Sequence, residues 1–414
     1  MSGIVSPQLQ SWATAMAQGA SPRATIEGMR RLGVSTDPQL LLLSPAASTD
    51  VRCLLAAEQL VHLVDGWRYA AAAMSAFLTH SNAAALHFAY YAELRAAISL
   101  MSWGGLRAKW HDYYYLDASG VRHTPHPTQN PPTHKAVWLL WREWAQKPDV
   151  EQLLLDNIRL MPNVYLRSVI GAVNFTLPHH ALQQWGADLF DPSDDHDARN
   201  TASYQPILTN TDLTSMNVGQ TNLVKALWEL LLSQGYSLQF DSAFCAHLVN
   251  LTGKHLGPSG QPNFLSPNYY ENLAQHIASE TGAPGDEIRR RIDPLKYNFL
   301  PFDLASSNNT DVENVLCRSI LLLRIALLAT QNSLDSPGAS SVPKKWLNRW
   351  LEHAGLWSQD QGIDPQDIHF EYSDALESFT TENPLPLSLW DRSNSWNSAA
   401  LARPDACIAW SLTA

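Results

Sequence analysis

The chain has 414 residues, 45% of them hydrophobic and only 16% charged, long enough to bury a large core over two or three domains of roughly 150 residues each. Its 28 basic and 39 acidic side chains leave a formal charge of −11, which excludes an overall field attracting nucleic acid or an anionic membrane and confines any such contact to a local patch. Cys53, Cys245, Cys317 and Cys407 form no CxxC, so neither a disulfide framework nor a structural zinc site is expected, and the pattern suits a reducing cytosol.

The start, MSGIVSPQLQSWATAMAQG, lacks the basic and apolar regions of a signal peptide, and a cytoplasmic location is expected. Residues 1–50 mix short amphipathic pieces with turn formers and read as an N-terminal extension. From Asp50 the run DVRCLLAAEQLVHLVDGWRYAAAAMSAFLTH keeps helical spacing, with Gly66 marking a break or kink. A second helix spans Ser81–Trp103, with Ser81 or Asn82 as cap and Gly104-Gly105 as terminator. Being apolar nearly all round, it belongs in the core. Its exceptions, His87, Tyr91, Arg95 and Ser99, recur every four residues and make one polar stripe. A buried guanidinium needs an anionic or carbonyl-rich partner, so Arg95 is either an internal brace, paired with Glu93 or an acid from another helix, or part of a pocket floor.

After Gly105, KWHDYYYLDASGVRHTPH alternates aromatic and polar residues about Asp117–Gly120 and predicts one short β-hairpin. Prolines 125, 127, 131 and 132 keep the chain extended until Thr133 caps the helix HKAVWLLWREWAQ, whose first turn carries His134, facing the stripe of Arg95. Helices over Asp149–Leu160 and Asn163–Phe175, and another starting near Asp197, complete a bundle over 51–210, with a boundary in the loop Asn210–Asn217. A second helical region covers 211–335, with helices at Gln220–Gln234, Asp241–His255, Pro267–Ser279, Pro284–Ile292 and Asp311–Gln331. A helix over Lys344–Leu356 and an aperiodic tail from Ser358 fill 336–414. The longest apolar run, Val315–Ala329, holds Arg318 and Arg324 and is too short to span a bilayer, so no membrane is expected. The basic runs Arg30-Arg31, Arg289–Arg291 and Lys344-Lys345 read as solvated helix faces. The fold class is mainly α.

Chemistry gathers in DPSDDHDARNTASYQP, residues 191–206. Arg199 and Ser203, and Asn200 and Tyr204, are i,i+4 pairs near a helix start; a guanidinium beside an amide and a phenol can hold a phosphate or a developing negative charge, or simply knit a bundle together. His179, His180, Asp191, Asp194, Asp195, His196 and Asp197 are ligand types suited to a divalent metal, without the spacing of an HExxH site. No GxxxxGK[ST], dinucleotide fingerprint or GxSxG is present, and no cofactor is expected.

Residues 89–101, AYYAELRAAISLM, together with the later Arg199-Asn200, resemble the HEPN superfamily of helical bundles, many of them metal-independent ribonucleases of toxin–antitoxin and anti-phage systems. The resemblance covers about 50–210. It implies a HEPN-like bundle in which Arg199 and Asn200 contact phosphate, His87, Tyr91, Arg95 and His134 line the same cavity, and a 2′-hydroxyl attacks without a metal. It also implies a site formed across a homodimer. The chain departs from the family by placing Tyr204 where a histidine falls four to six residues after the arginine, and a phenol with a pKa near 10 is a poorer base at neutral pH. Three functions stay open: a bacterial defence or toxin-type component that binds or cuts RNA, a non-catalytic scaffold for a partner protein of such a system, and a metal-dependent hydrolase built on 179–197.

Overall fold

The computed structural model describes residues 6–33, 38–43, 50–109, 112–127, 131–173, 198–202, 218–256, 267–382 and 396–412. Helices α1 (Pro7–Gly19) and α2 (Pro22–Arg31) each carry proline in the first turn, where the missing N–H is not needed; α3 (Pro38–Leu43) follows. Helix α4 (Val51–Leu78) starts on Asp50, whose carboxylate accepts from the Arg52 amide, and runs unbroken through Gly66. Gly66 does not break the helix and is there for close approach: a Cβ would lie 2.7 Å from Leu323 and 3.2 Å from the Arg95 Cβ. Helix α5 (Asn82–Trp103) folds back on α4 through His80, a non-glycine residue at φ 61°. Ser81 is its N-cap without donating or accepting a side-chain capping bond.

The aromatic segment forms β1 (Leu106–Lys109), β2 (Asp112–Leu116) and the short β3 (Arg122–His123), all antiparallel. Helices α6 (Thr133–Trp144) and α7 (Pro148–Asn157) lead to a hairpin of β4 (Arg159–Met161) and β5 (Val164–Tyr165), then α8 (Leu166–Val173). That hairpin shortens the two helices expected on either side of Pro162, because proline lacks the N–H that a helix interior needs and drives Met161 to extended geometry.

Beyond residue 217 come α9 (Val218–Leu231), α10 (Gln239–Leu256), α11 (Pro267–Thr281), α12 (Gly285–Arg291), α13 (Leu300–Ala305) and α14 (Val312–Leu334). The chain ends with α15 (Val342–His353), α16 (Pro365–Glu382), α17 (Trp396–Leu401) and α18 (Cys407–Leu412). Three of these, α16, α17 and α18, lie in the tail expected to be aperiodic.

Helix α14 packs against both α4 and α5, so one hydrophobic core runs continuously from Trp12 to Leu412 and the expected boundary near 210 does not separate two cores. Arg318 can enter that core because Glu93 meets it at 3.3 Å with both side chains fully buried, while the carbonyls of Ser307 and Asn309 accept its other donors. Buried Asp405, paired with Arg68 of α4 and with Arg403, pins the C-terminal helices to the hairpin. The four cysteines are free and buried. Among the described residues, no helix is long and apolar enough to cross a membrane.

Candidate functional site: the polar seam of the α4–α5 hairpin

The stripe on α5 has a counterpart on α4. Glu58, His62, Asp65 and Tyr69 recur at spacings of four, three and four, which keeps them on one helical face. Since the helices are antiparallel, the stripes meet in reverse order. Ser99 donates to the Gln59 carbonyl at 2.7 Å, Arg95 reaches Asp65 at 2.7 Å and His62 Nδ1 at 3.2 Å, and Tyr91 stacks on Tyr69 with centroids 5.3 Å apart. Both sequence alternatives for Arg95 therefore hold together: an acid from another helix braces it, and it lines a cavity of about 500 Å³. Glu93 is not its partner, being committed to Arg318.

At the α5 N-terminal end of the seam sits Arg199, in a short helical stretch over 198–202. Its side chain is only 7% exposed, yet its Nε has no hydrogen-bond partner and no described carboxylate pairs with it. Instead the guanidinium lies over two phenol rings, 5.4 Å from the Tyr90 centroid and 5.5 Å from that of Tyr91. Tyr90 is fully buried, and its hydroxyl meets His134 Nδ1 at 3.1 Å and accepts from Trp138 Nε1 at 3.3 Å. His134 packs edge-on to Tyr91 and His87 packs against Tyr91 at 5.0 Å, closing a ring of aromatic and imidazole groups around the cation. Burial, and then the nearby Arg199 charge, hold the His87 pKa below the usual imidazole value, so the ring is neutral at pH 7. A desolvated cation beside a neutral imidazole is a receptor for an anion, phosphate or carboxylate.

At the other end, the cavity beside Arg95 is bounded by Glu58, His62 and Asp65, by Lys109 at the end of β1, by Thr133 at the start of α6 and by Trp346 and Trp350 of α15. Burial raises the Glu58 carboxyl to about 7 against the opposing pull of Arg107, which contacts it at 2.9 Å. Burial, then the charge of Arg95, pushes His62 down to about 3. Asp65 is raised by burial and held back by Arg95. Because Arg95 can only donate, the neutral His62 ring accepts at Nδ1 and carries its proton on Nε2.

Of the residues singled out in the sequence, His87, Tyr91, His134 and Arg199 share one cluster, with Asn200 half-buried beside Arg199. Arg95 stands one turn further along α5, joined to the cluster through Tyr69, whose ring its guanidinium approaches at 5.9 Å. Tyr204, Ser203 and the His179–Asp197 cluster lie outside the described residues. Among those described, no three His, Cys, Asp or Glu side chains are placed to hold a metal ion. The basic runs are neutralised locally, Arg30 and Arg31 by Glu27, and Arg290 and Arg291 by Glu287. Sequence reading missed Glu58, His62, Asp65 and Tyr69, although their spacing within DVRCLLAAEQLVHLVDGWRY carries the same signal as the α5 stripe.

No protein-family model, curated protein or solved structure matches the chain.

Proposed function

We propose that the chain recognises RNA through a phosphate held by Arg199 and cleaves it without a metal, as a component of a bacterial defence or toxin-type system. One observation carries the reading: a guanidinium 93% withdrawn from solvent, by the 7% exposure of Arg199, that lacks an acceptor for Nε and is bordered by a neutral His87. Such an arrangement is costly unless a ligand anion completes it. The defence or toxin-type setting comes from the HEPN resemblance alone.

In this reading Arg199, with Asn200, binds the non-bridging oxygens and offsets the charge that develops on phosphorus. His87 takes the proton of the 2′-hydroxyl, whose oxygen bonds to phosphorus as the bond to the 5′-oxygen breaks. The hydrogen-bonded Tyr90–His134 pair returns a proton to that leaving oxygen. The products are a 2′,3′-cyclic phosphate and a 5′-hydroxyl. Tyr204 stands where the resemblance sets a histidine, and the base role passes to His87.

The test is digestion of total cellular RNA by the purified chain in excess chelator, comparing wild type with Arg199→Ala and His87→Gln. The expected result is cleavage lost in Arg199→Ala and reduced by about 100-fold or more in His87→Gln. Absence of cleavage by the wild type, with RNA still bound through Arg199, would overturn catalysis and leave a non-catalytic sensor or scaffold. Absence of both would overturn the RNA reading.

A further inference from the structure

The cavity of about 500 Å³ at the Arg95 end of the seam is separate from the Arg199 cluster, and the two lie along the same helix. Thr133 borders the cavity, and the next residue, His134, touches Tyr90 and Tyr91. Tyr91 and Arg95 are one turn apart on α5, a rise of about 6 Å. The volume falls in the range typical of small-ligand sites.

Its walls differ in chemistry. Part of the lining is aromatic: Trp346 and Trp350, at i,i+4 on α15. Helix α4 contributes aliphatic Val61 and also His62, whose Nε2–H has no partner among the described residues, one turn from the Asp65 carboxylate, which accepts. A donor and an acceptor one turn apart, in a cavity that also holds two indoles, match the hydrogen-bonding edge and the face of a nucleobase. Lys109 contributes a cation without a carboxylate partner among the described residues, beside Arg95, and together they suit the phosphate of the same unit.

We propose that this cavity holds one nucleotide of the bound strand, its base between Trp346 and Trp350 and the His62–Asp65 edge, and its phosphate toward Lys109. The proposal rests on the RNA reading of the Arg199 end, and it names where base selectivity arises: Asp65 and His62 favour a base presenting a donor and an acceptor in matching order. A nucleotide in the cavity would set a neighbouring phosphate along the seam toward Arg199.

The experiment is calorimetric titration of the full chain with AMP, GMP, CMP and UMP separately, and with a short oligoribonucleotide. Wild type is expected to bind at least one mononucleotide in the millimolar range or tighter. Trp350→Ala should weaken this about tenfold, in line with the loss of one base–aromatic stack. Asp65→Asn, which exchanges an acceptor for a donor, should alter the ranking of the four bases. Lys109→Ala, at an exposed position, tests the phosphate contact without touching the core and should weaken mononucleotides severalfold. Arg199→Ala should leave mononucleotide binding intact while weakening the oligonucleotide about tenfold or more. Failure of every mononucleotide to bind at about ten millimolar, or binding unmoved by both Trp350→Ala and Lys109→Ala, would overturn the proposal. Mononucleotide binding without any oligonucleotide binding would overturn the RNA reading and leave the cavity as a nucleotide site in its own right.

Discussion

Replacing Arg199 by methionine separates a ligand-binding cation from a structural brace, because the two predict opposite effects on stability. In the free protein the Arg199 Nε is a buried charged donor with no acceptor, a condition that costs about 1–3 kcal/mol. Against this stand two contacts with ring faces, at 5.4 and 5.5 Å, each contributing about 0.5–1 kcal/mol. Methionine fills similar volume and packs well on aromatic rings, so Arg199→Met should leave stability unchanged or raise it by about 1 kcal/mol. Arg318→Met is the contrast: it strips fully buried Glu93 of its guanidinium and should cost about 3–5 kcal/mol. Urea unfolding followed by tryptophan fluorescence measures both, and an oligoribonucleotide at about 100 times its wild-type Kd should add about 2.7 kcal/mol to wild type and about 1.4 kcal/mol or less to Arg199→Met. Destabilisation of Arg199→Met by about 3 kcal/mol or more, with no ligand-dependent difference, would show that Arg199 ties the fold together and would refute the argument.

Other outcomes follow from the same structure. Glu58 has its folded pKa raised from 4.5 to about 7, so wild type loses stability as pH rises through that window; Glu58→Gln should gain over wild type as pH climbs from about 4.5 to 7 and stay level above it, measured by melting temperature across pH. His62, depressed from 6.5 to about 3, has the opposite sign: its contribution is full above about 6.5 and is lost as pH falls toward 3, so His62→Gln should resist acid better than wild type in the same scan. At Gly28 a Cβ would strike the carbonyl of Arg52 where α2 crosses α4, backbone that cannot turn aside; Gly28→Ala should cost about 1–3 kcal/mol and hasten proteolysis of the N-terminal helices. Asp405→Ala removes a fully buried carboxylate, but Arg68 and Arg403 keep 49% and 31% side-chain exposure and can turn to water, so the loss should be about 1–3 kcal/mol in urea unfolding.

The difference between the two stripes shows what was legible. On α5, His87, Tyr91, Arg95 and Ser99 stand out because everything else on the helix is apolar, and four-residue spacing alone puts them on one face. On α4, Glu58, His62, Asp65 and Tyr69 obey the same rule, but Gln59, Arg68 and Gly66 interrupt the pattern and disguise a continuous helix as a broken one. Spacing within a helix reveals a face; it does not reveal which helix covers it. Arg95 could have been paired with Glu93 as readily as with Asp65, until the hairpin set Asp65 opposite it and α14 brought Arg318 to Glu93.

The sequence by itself determined the mainly helical class, the α4–α5 hairpin, the short aromatic strands and the polarity of the seam, since these follow from local periodicity, glycine and proline placement, and the cost of burying polar groups. Only the tertiary structure decided that α14 joins the N-terminal hairpin in one core, that a β-hairpin about Pro162 separates and shortens the helices on either side, and that Arg199 comes to rest on Tyr90 and Tyr91, more than a hundred residues earlier in the chain. The physical reason is that an apolar face or a buried guanidinium specifies the kind of partner it requires, whereas which partner it receives depends on how the long segments between them close.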